Sequence, residues 1–165
     1  MEKFAKNISR GGLLKDCFVA SLLAMALLSG CASVQMSGYI SRADHPYERK
    51  FYASFEKVVG STVYVLKKKG WSVDSEADPA IYERDDRYEN NGYQNLLIMT
   101  SIKENYRVLY STFTHLNVFV HSLGNTCTVE IRYEAQTPLI KHFVSVRNDQ
   151  VVQGILDALE QDING

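Results

Sequence analysis

The chain lacks an excess of positive charge: 18 Lys and Arg stand against 19 Asp and Glu, a net charge of −1. That balance excludes the basic footprint of a nucleic-acid binder. Cysteine is scarce, with three in 165 residues, and no two of them form a paired metal motif. Recognisable catalytic signatures are absent. There is no Gly-x-Ser-x-Gly nucleophile elbow, no His-Glu-x-x-His and no phosphate-binding glycine loop, so neither an enzyme nor a bound cofactor is expected. Long apolar runs are missing as well. The uncharged core Phe18–Leu28 spans eleven residues, within the ~7–15 of a signal-peptide core and short of the ~20 that a membrane-spanning helix prefers.

What is present at the amino terminus has a definite order. Lys3, Lys6, Arg10 and Lys15 outnumber Glu2 and Asp16, which holds this end on the cytoplasmic side of a membrane. The apolar core follows, then small Ser29 and Gly30, then Cys31. Leu28-Ser29-Gly30-Cys31 resembles the lipobox of bacterial lipoproteins. The competing reading is an uncleaved anchor, since no charge occurs between Asp16 and Arg42. The resemblance implies a signal peptide over 1–30, cleavage between Gly30 and Cys31, and a diacylglycerol on the Cys31 sulfur. Two acyl chains suffice for stable membrane attachment, whereas one is marginal. Ala32, in place of a retaining aspartate, implies the periplasmic face of the outer membrane, with the inner membrane as the alternative.

Processing would leave 135 residues with 14 Lys and Arg against 17 Asp and Glu, enough for one domain. Cys17 would leave with the signal and Cys31 would be acylated, so Cys127 stands alone and no internal disulfide forms. Residues 31–45, rich in Ser and Gly with little apolar periodicity, read as a tether. Its fourteen residues after Cys31 reach at most about 50 Å.

The expected fold class over 46–165 is α+β: a two-layer domain with an antiparallel sheet of about five strands packed against an N-terminal and a C-terminal helix. The first helix is predicted over Pro46–Lys69, with Phe51, Phe55, Val58, Val59, Thr62 and Leu66 as its apolar stripe and Gly70 as its stop. Lys67, Lys68 and Lys69 complement its dipole or meet anionic headgroups. Short strands are predicted over Trp71–Ser75, Ala80–Arg84 and Asn95–Lys103. The segment between Glu83 and Asn95 has loop chemistry, and Asp85, Asp86, Glu89, Asn90 and Asn91 do not match the calcium-ligand spacing of an EF-hand, so no metal site is assigned. Asn148 is placed as the cap of a final helix running through Ile163.

The sharpest expectation concerns Tyr110–Thr137. A two-residue turn at Gly124-Asn125 pairs Val120 with Val129, Val118 with Ile131, Leu116 with Tyr133 and Ser122 with Cys127 on one core face. The opposite face pairs His121 with Thr128, Phe119 with Glu130, Asn117 with Arg132 and His115 with Glu134. That face reads as solvated, with Phe119 out of character and both histidines at the surface, as also for His45 and His142. Cys127 falls on the core face as a buried thiol.

The order helix, Gly70-Trp71 and strand, hairpins, helix is similar to the helix-grip-like domains of NlpB (BamC), the small lipoprotein subunit of the outer-membrane β-barrel assembly machinery, and of other envelope lipoproteins. The resemblance rests on element order and carries over no site residues. The functional expectation is a lipid-anchored, noncatalytic protein-interaction or envelope-assembly module with an envelope protein as partner. Tyr82, Tyr88, Tyr93, Tyr106 and Tyr110, around the polar loop, are its candidate interaction surface. The alternatives are a periplasmic carrier of a lipid or other apolar ligand, which requires a cavity between helices and sheet, and an envelope-polymer hydrolase, which requires convergent polar groups in a cleft.

Overall fold

Apolar side chains at alternate positions of the long strands, and apolar stripes on two capped helices, build a sheet covered on one face by both helices. The computed structural model describes residues 36, 38–42, 47–84, 92–106, 110–137 and 143–165. The lipobox Leu28–Cys31, Pro46, Asp85, Asp86, Tyr88, Glu89, Asn90, Asn91, His45, Pro138 and His142 lie outside the described residues. The elements run β1 (Tyr47–Phe51), α1 (Phe55–Lys68), β2 (Val73–Ala77), a short 3₁₀ turn (Pro79–Ile81), β3 (Tyr93–Thr100), β4 (Lys103–Tyr106), β5 (Ser111–Leu123), β6 (Thr126–Thr137), β7 (Phe143–Ser145) and α2 (Asp149–Asn164). Among the described residues, no helix is long and apolar enough to cross a membrane.

The class is α+β with an antiparallel sheet and two helices, but the strands number seven. They occupy five lateral positions in the order β2-β3-β5-β6-β1. Along β5, β3 pairs with 117–123 and β4 with 111–114; along β6, β1 pairs with 127–131 and β7 with 135–137. Where β3 hands over to β4, the Thr100 hydroxyl replaces a ladder partner: Leu116 N–H donates to Thr100 Oγ1 (2.8 Å), which donates to Leu116 O (3.3 Å).

The β5–β6 register agrees with the sequence expectation at all eight named pairs. Gly124 turns the hairpin at φ +62°, a conformation in which a Cβ is strained. Leu116, Val118, Val120, Cys127, Val129 and Ile131 are buried against the helices. The α2 stripe Val152, Ile155, Leu156, Leu159 and Ile163 closes the same core, each side chain contributing ~1.5–3 kcal/mol of burial. Asn148 caps α2 as expected, accepting from Val151 N–H (3.1 Å). Cys127 is fully buried, its Sγ donating to Ala53 O (3.4 Å). Burial pushes its thiol pKa up, against a hydrogen bond with Ser122 that lowers it.

Several boundaries differ from expectation. The predicted helix over 46–69 is a strand followed by a helix, because Tyr47 and Phe51 are separated by four residues, a spacing that places side chains on one face of either element. Pairing with β6 selects the strand, and Ser54 starts α1 by accepting from Lys57 N–H (3.3 Å). Ala80–Arg84 is not a strand: Asp78 accepts from Ala80 N–H (2.9 Å) and Pro79 opens a 3₁₀ turn. The second strand begins at Val73, two residues beyond Trp71, since a helix-ending motif consumes Gly70 and Trp71. Asn95–Lys103 is likewise divided, β3 starting at Tyr93 and β4 at Lys103. β7, between the predicted hairpin and the predicted final helix, is held by its pairing with β6.

The largest correction concerns the second sheet face. His115, Asn117, Phe119, His121, Glu130 and Arg132 are all buried, so neither His115 nor His121 is a surface residue. Over Asn117, Phe119 and Arg132 the cover is residues 38–42, which read as tether but lie across this part of the face, with Ile40 buried and Tyr39 half-buried.

Candidate functional site

Two places gather polar side chains with distinct geometry. The first is the clamp that holds residues 38–40. Asn117 and Arg132 are direct cross-strand partners, so their side chains rise side by side. Asn117 accepts from Ile40 N–H at Oδ1 (2.7 Å) and donates from Nδ2 to Gly38 O (3.0 Å). Arg132 donates from Nη1 to Ile40 O (2.9 Å) and to Tyr39 Oη (3.0 Å). Two sheet side chains thus satisfy the backbone of the segment as a neighbouring strand would.

Arg132 has further partners. It donates to Glu130 Oε1 (2.6 Å) from Nε and to Glu83 Oε1 (2.8 Å) from Nη2, and its guanidinium lies 3.9 Å from the Phe119 ring centroid. Phe119 is therefore the face of a buried cation–π pair, which explains its place in an otherwise polar row. Burial pulls the Arg132 pKa down, but the hydrogen bond of Glu83 and the charge of Glu130 outweigh it and raise it. Tyr39 donates to Glu83 and stacks on Tyr82 at 5.0 Å. Burial first, then Glu83, raises the Tyr39 pKa to about 12. His115 meets Glu134 (3.3 Å) and His121 meets Asn95 (3.1 Å). Among the described residues, no three His, Cys, Asp or Glu side chains converge to hold a metal.

The second place is a cleft of about 670 Å³ at the end of the sheet where β4 and β7 lie. Its construction starts at Gly70. With φ +78°, Gly70 ends α1 in a Schellman motif: Gly70 N–H donates to Lys67 O (3.0 Å) and Trp71 N–H to Leu66 O (2.9 Å). That geometry turns Trp71 into the core edge beside Leu66 and makes it a wall of the cleft. The facing wall is the start of α2, set by Tyr47, which donates to Asp149, and by Asn148, which donates to Tyr133 Oη (3.5 Å). Burial first, then Asp149, raises the Tyr47 pKa to about 12. The floor is Thr112 and Thr114 of β5, with Asn105 Nδ2 donating to Thr114 Oγ1 (3.2 Å).

Two ammonium groups border this cleft. Lys103 Nζ stands 5.3 Å from the Trp71 ring centroid, and Lys69 reaches α2 at Gly154, its Nζ 4.0 Å from where a Cβ would be. Neither has a carboxylate partner among the described residues. A smaller cavity of about 390 Å³ lies on the edge of β6 between β1 and β7, walled by Ile40, Ile131, Val144 and Val146.

The tyrosines named from sequence do not form one surface. Tyr93 pairs with Leu123 and Tyr106 with Ser111, at opposite ends of β5, ~40 Å apart at the strand rise. Tyr106 and Tyr110, both exposed, share the cleft end, Tyr82 belongs with Tyr39, and Tyr88 lies outside the described residues. Tyr39, Asn117, Arg132, Trp71 and Lys103 were not singled out as sites, and Lys69 was named only for the helix dipole or anionic headgroups. The available signals were Phe119 in a polar row, and Tyr39-Ile40 as an apolar pair within the tether. Comparison with known proteins returns no matching family and no matching curated relative.

Proposed function

We propose that this chain is a lipid-anchored envelope lipoprotein, cleaved before Cys31 and attached through its diacylglyceryl thioether, whose α+β domain serves as a noncatalytic protein-interaction or envelope-assembly module. The lipobox supports the attachment. The observation that carries the reading further is the clamp: Asn117 and Arg132 build Gly38–Ile40 into the domain. The leash then shortens from fourteen residues to the seven bonds from Cys31 to Gly38, with a reach of at most about 25 Å. A domain so held works beside the membrane; Ala32 favours the outer one over the inner.

The cleft is the candidate contact surface. It offers amides, hydroxyls, two ammonium groups and an aromatic wall, the chemistry of recognition. Buried side chains of the helices and of the sheet form one continuous cluster, and the open cleft between the start of α2 and the sheet is lined mainly by polar side chains, which favours this reading over carriage of an apolar ligand.

Mass spectrometry of the mature protein tests attachment: the expected amino terminus is diacylglyceryl-Cys31, and an unmodified Cys31 or retention of residues 1–30 refutes it. Photo-crosslinking in intact cells from position 106 tests the module. A specific envelope protein should be captured by the anchored form and lost with Cys31→Ala; capture of none refutes the interaction role of the cleft.

A further inference from the structure

Among the described residues the sheet has an unfilled position outside β4, and the cleft reaches from that edge over Thr112 and Thr114 of β5 and Tyr133 of β6 to the start of α2. Outside β3 the next place in the sheet is filled by β2. Outside β4, which continues β3 along the same neighbour β5, no described strand pairs. The chain leaves this place just before it reaches β4: Ser101 N–H still donates to Ser72 O (2.9 Å), and beyond that contact stand Trp71, Gly70 and the end of α1. All four residues of β4, Lys103 to Tyr106, line the cleft. An exposed edge strand presents a row of backbone donors and acceptors to any extended chain that reaches it.

Charge selects among such chains. Lys103 Nζ lies over Trp71 and 3.4 Å from where a Cβ of Gly70 would be, so it stands at the point where an added strand would meet β2. Lys69 stands across the cleft at Gly154. Glu104, the one acidic residue among those described on the cleft wall, has its carboxylate engaged by Tyr106 Oη (2.8 Å). Two lysines against this one carboxylate leave the described lining of the cleft with a net positive charge, within a mature chain whose net charge is negative.

We propose that the cleft binds an extended, acidic peptide segment of a partner protein, which adds to β4 as an edge strand in line with β2. Its backbone pairs with Lys103–Tyr106, its carboxylates meet Lys69 and Lys103, and a side chain lies against Trp71. Strand addition draws affinity from main-chain hydrogen bonds and specificity from alternate side chains, here the two lysines. The inference rests on the interaction-module reading and names the partner's chemistry.

The test uses the full chain, detergent-solubilised, panned against a displayed library of random heptapeptides. Selected peptides should be rich in Asp and Glu, and on binding should slow hydrogen exchange at the amides of β4. Lys69→Glu/Lys103→Glu should weaken binding about tenfold or more, while Lys69→Arg/Lys103→Arg retains it; the arginine pair also reports that an altered surface still folds. No enrichment, peptides without acidic excess, indifference to charge reversal, or binding without protection of β4 each overturns the proposal. So does concentration-dependent dimerisation that protects β4, since a second copy is then the occupant. If cells still yield an envelope partner with the charge-reversed protein, the peptide site fails while the interaction module stands. Conversely, acidic peptides bound by a protein whose Cys31 is unmodified would leave the site standing and remove the lipid anchor.

Discussion

Arg132 shows how one residue can be legible in position and illegible in role. Its pairing with Asn117 follows from the period-2 register, yet its burial follows only from the segment above it. Its buried guanidinium faces two carboxylates, the fully buried Glu130 and the partly buried Glu83. Removing one partner of such a group leaves an uncompensated charge. Arg132→Met is therefore expected to lower stability by about 3–5 kcal/mol in urea unfolding, and adding Glu130→Leu should restore part of the loss. Tyr39 and Tyr47 carry a second prediction. Their folded pKa values, about 12, exceed the ordinary value near 10. The neutral phenol is the form favoured by folding, so this stabilisation is full below pH 10 and is lost as pH rises towards 12. In a spectrophotometric alkaline titration, these two phenols should ionise last, together with loss of the far-ultraviolet dichroism.

At the scale of elements, the hairpin and the last helix were readable because local chemistry and periodicity agree. Gly124-Asn125 supplies the turn, and the same-face apolar pairs allow one register. Asn148 supplies a cap in front of a 3.6-residue stripe. Replacing Asn148 by Ala should cost about 1 kcal/mol in thermal or urea unfolding, and should shift the resonances of Tyr133, whose hydroxyl it contacts. The start of the domain was less readable. Tyr47, Phe51 and Phe55 recur every four residues, a spacing that fits one face of a helix and, over a few residues, one face of a strand. Only the free edge of β6, which accepts Tyr47–Phe51 as β1, separates the two. Glu83, at the end of a predicted strand and the start of a polar loop, gave no local sign of its ion pair, because its partner Arg132 is 49 residues away.

For the whole molecule, the telling difference is the number of covered faces. A row of His, Asn, Glu and Arg reads as solvent-facing until something lies over it. Here Gly38–Ile40 does so over Asn117, Phe119 and Arg132, and the clamp makes the cover part of the fold. Ile40→Asp, which places a charge in a buried apolar site, should release the segment. Hydrogen exchange at residues 38–42 should then approach the unprotected rate, while the amides of β5 and β6 remain protected; concerted loss of protection through the sheet would show that the segment holds the fold rather than rests on it. The sequence by itself determined what depends on near neighbours: the caps, the stripes, the β5–β6 register and the buried place of Cys127. The tertiary structure alone decided what depends on contacts between distant residues. It covered the middle of the second face, placed Tyr93 at the opposite end of β5 from Tyr106 and Tyr110, and left β4 without an outer neighbour among the described residues, with two lysines beside it. Turns and periodicities are written in steps of two to four residues, whereas the partners of Arg132 and the walls of the cleft are brought together by long-range pairing that no local pattern encodes.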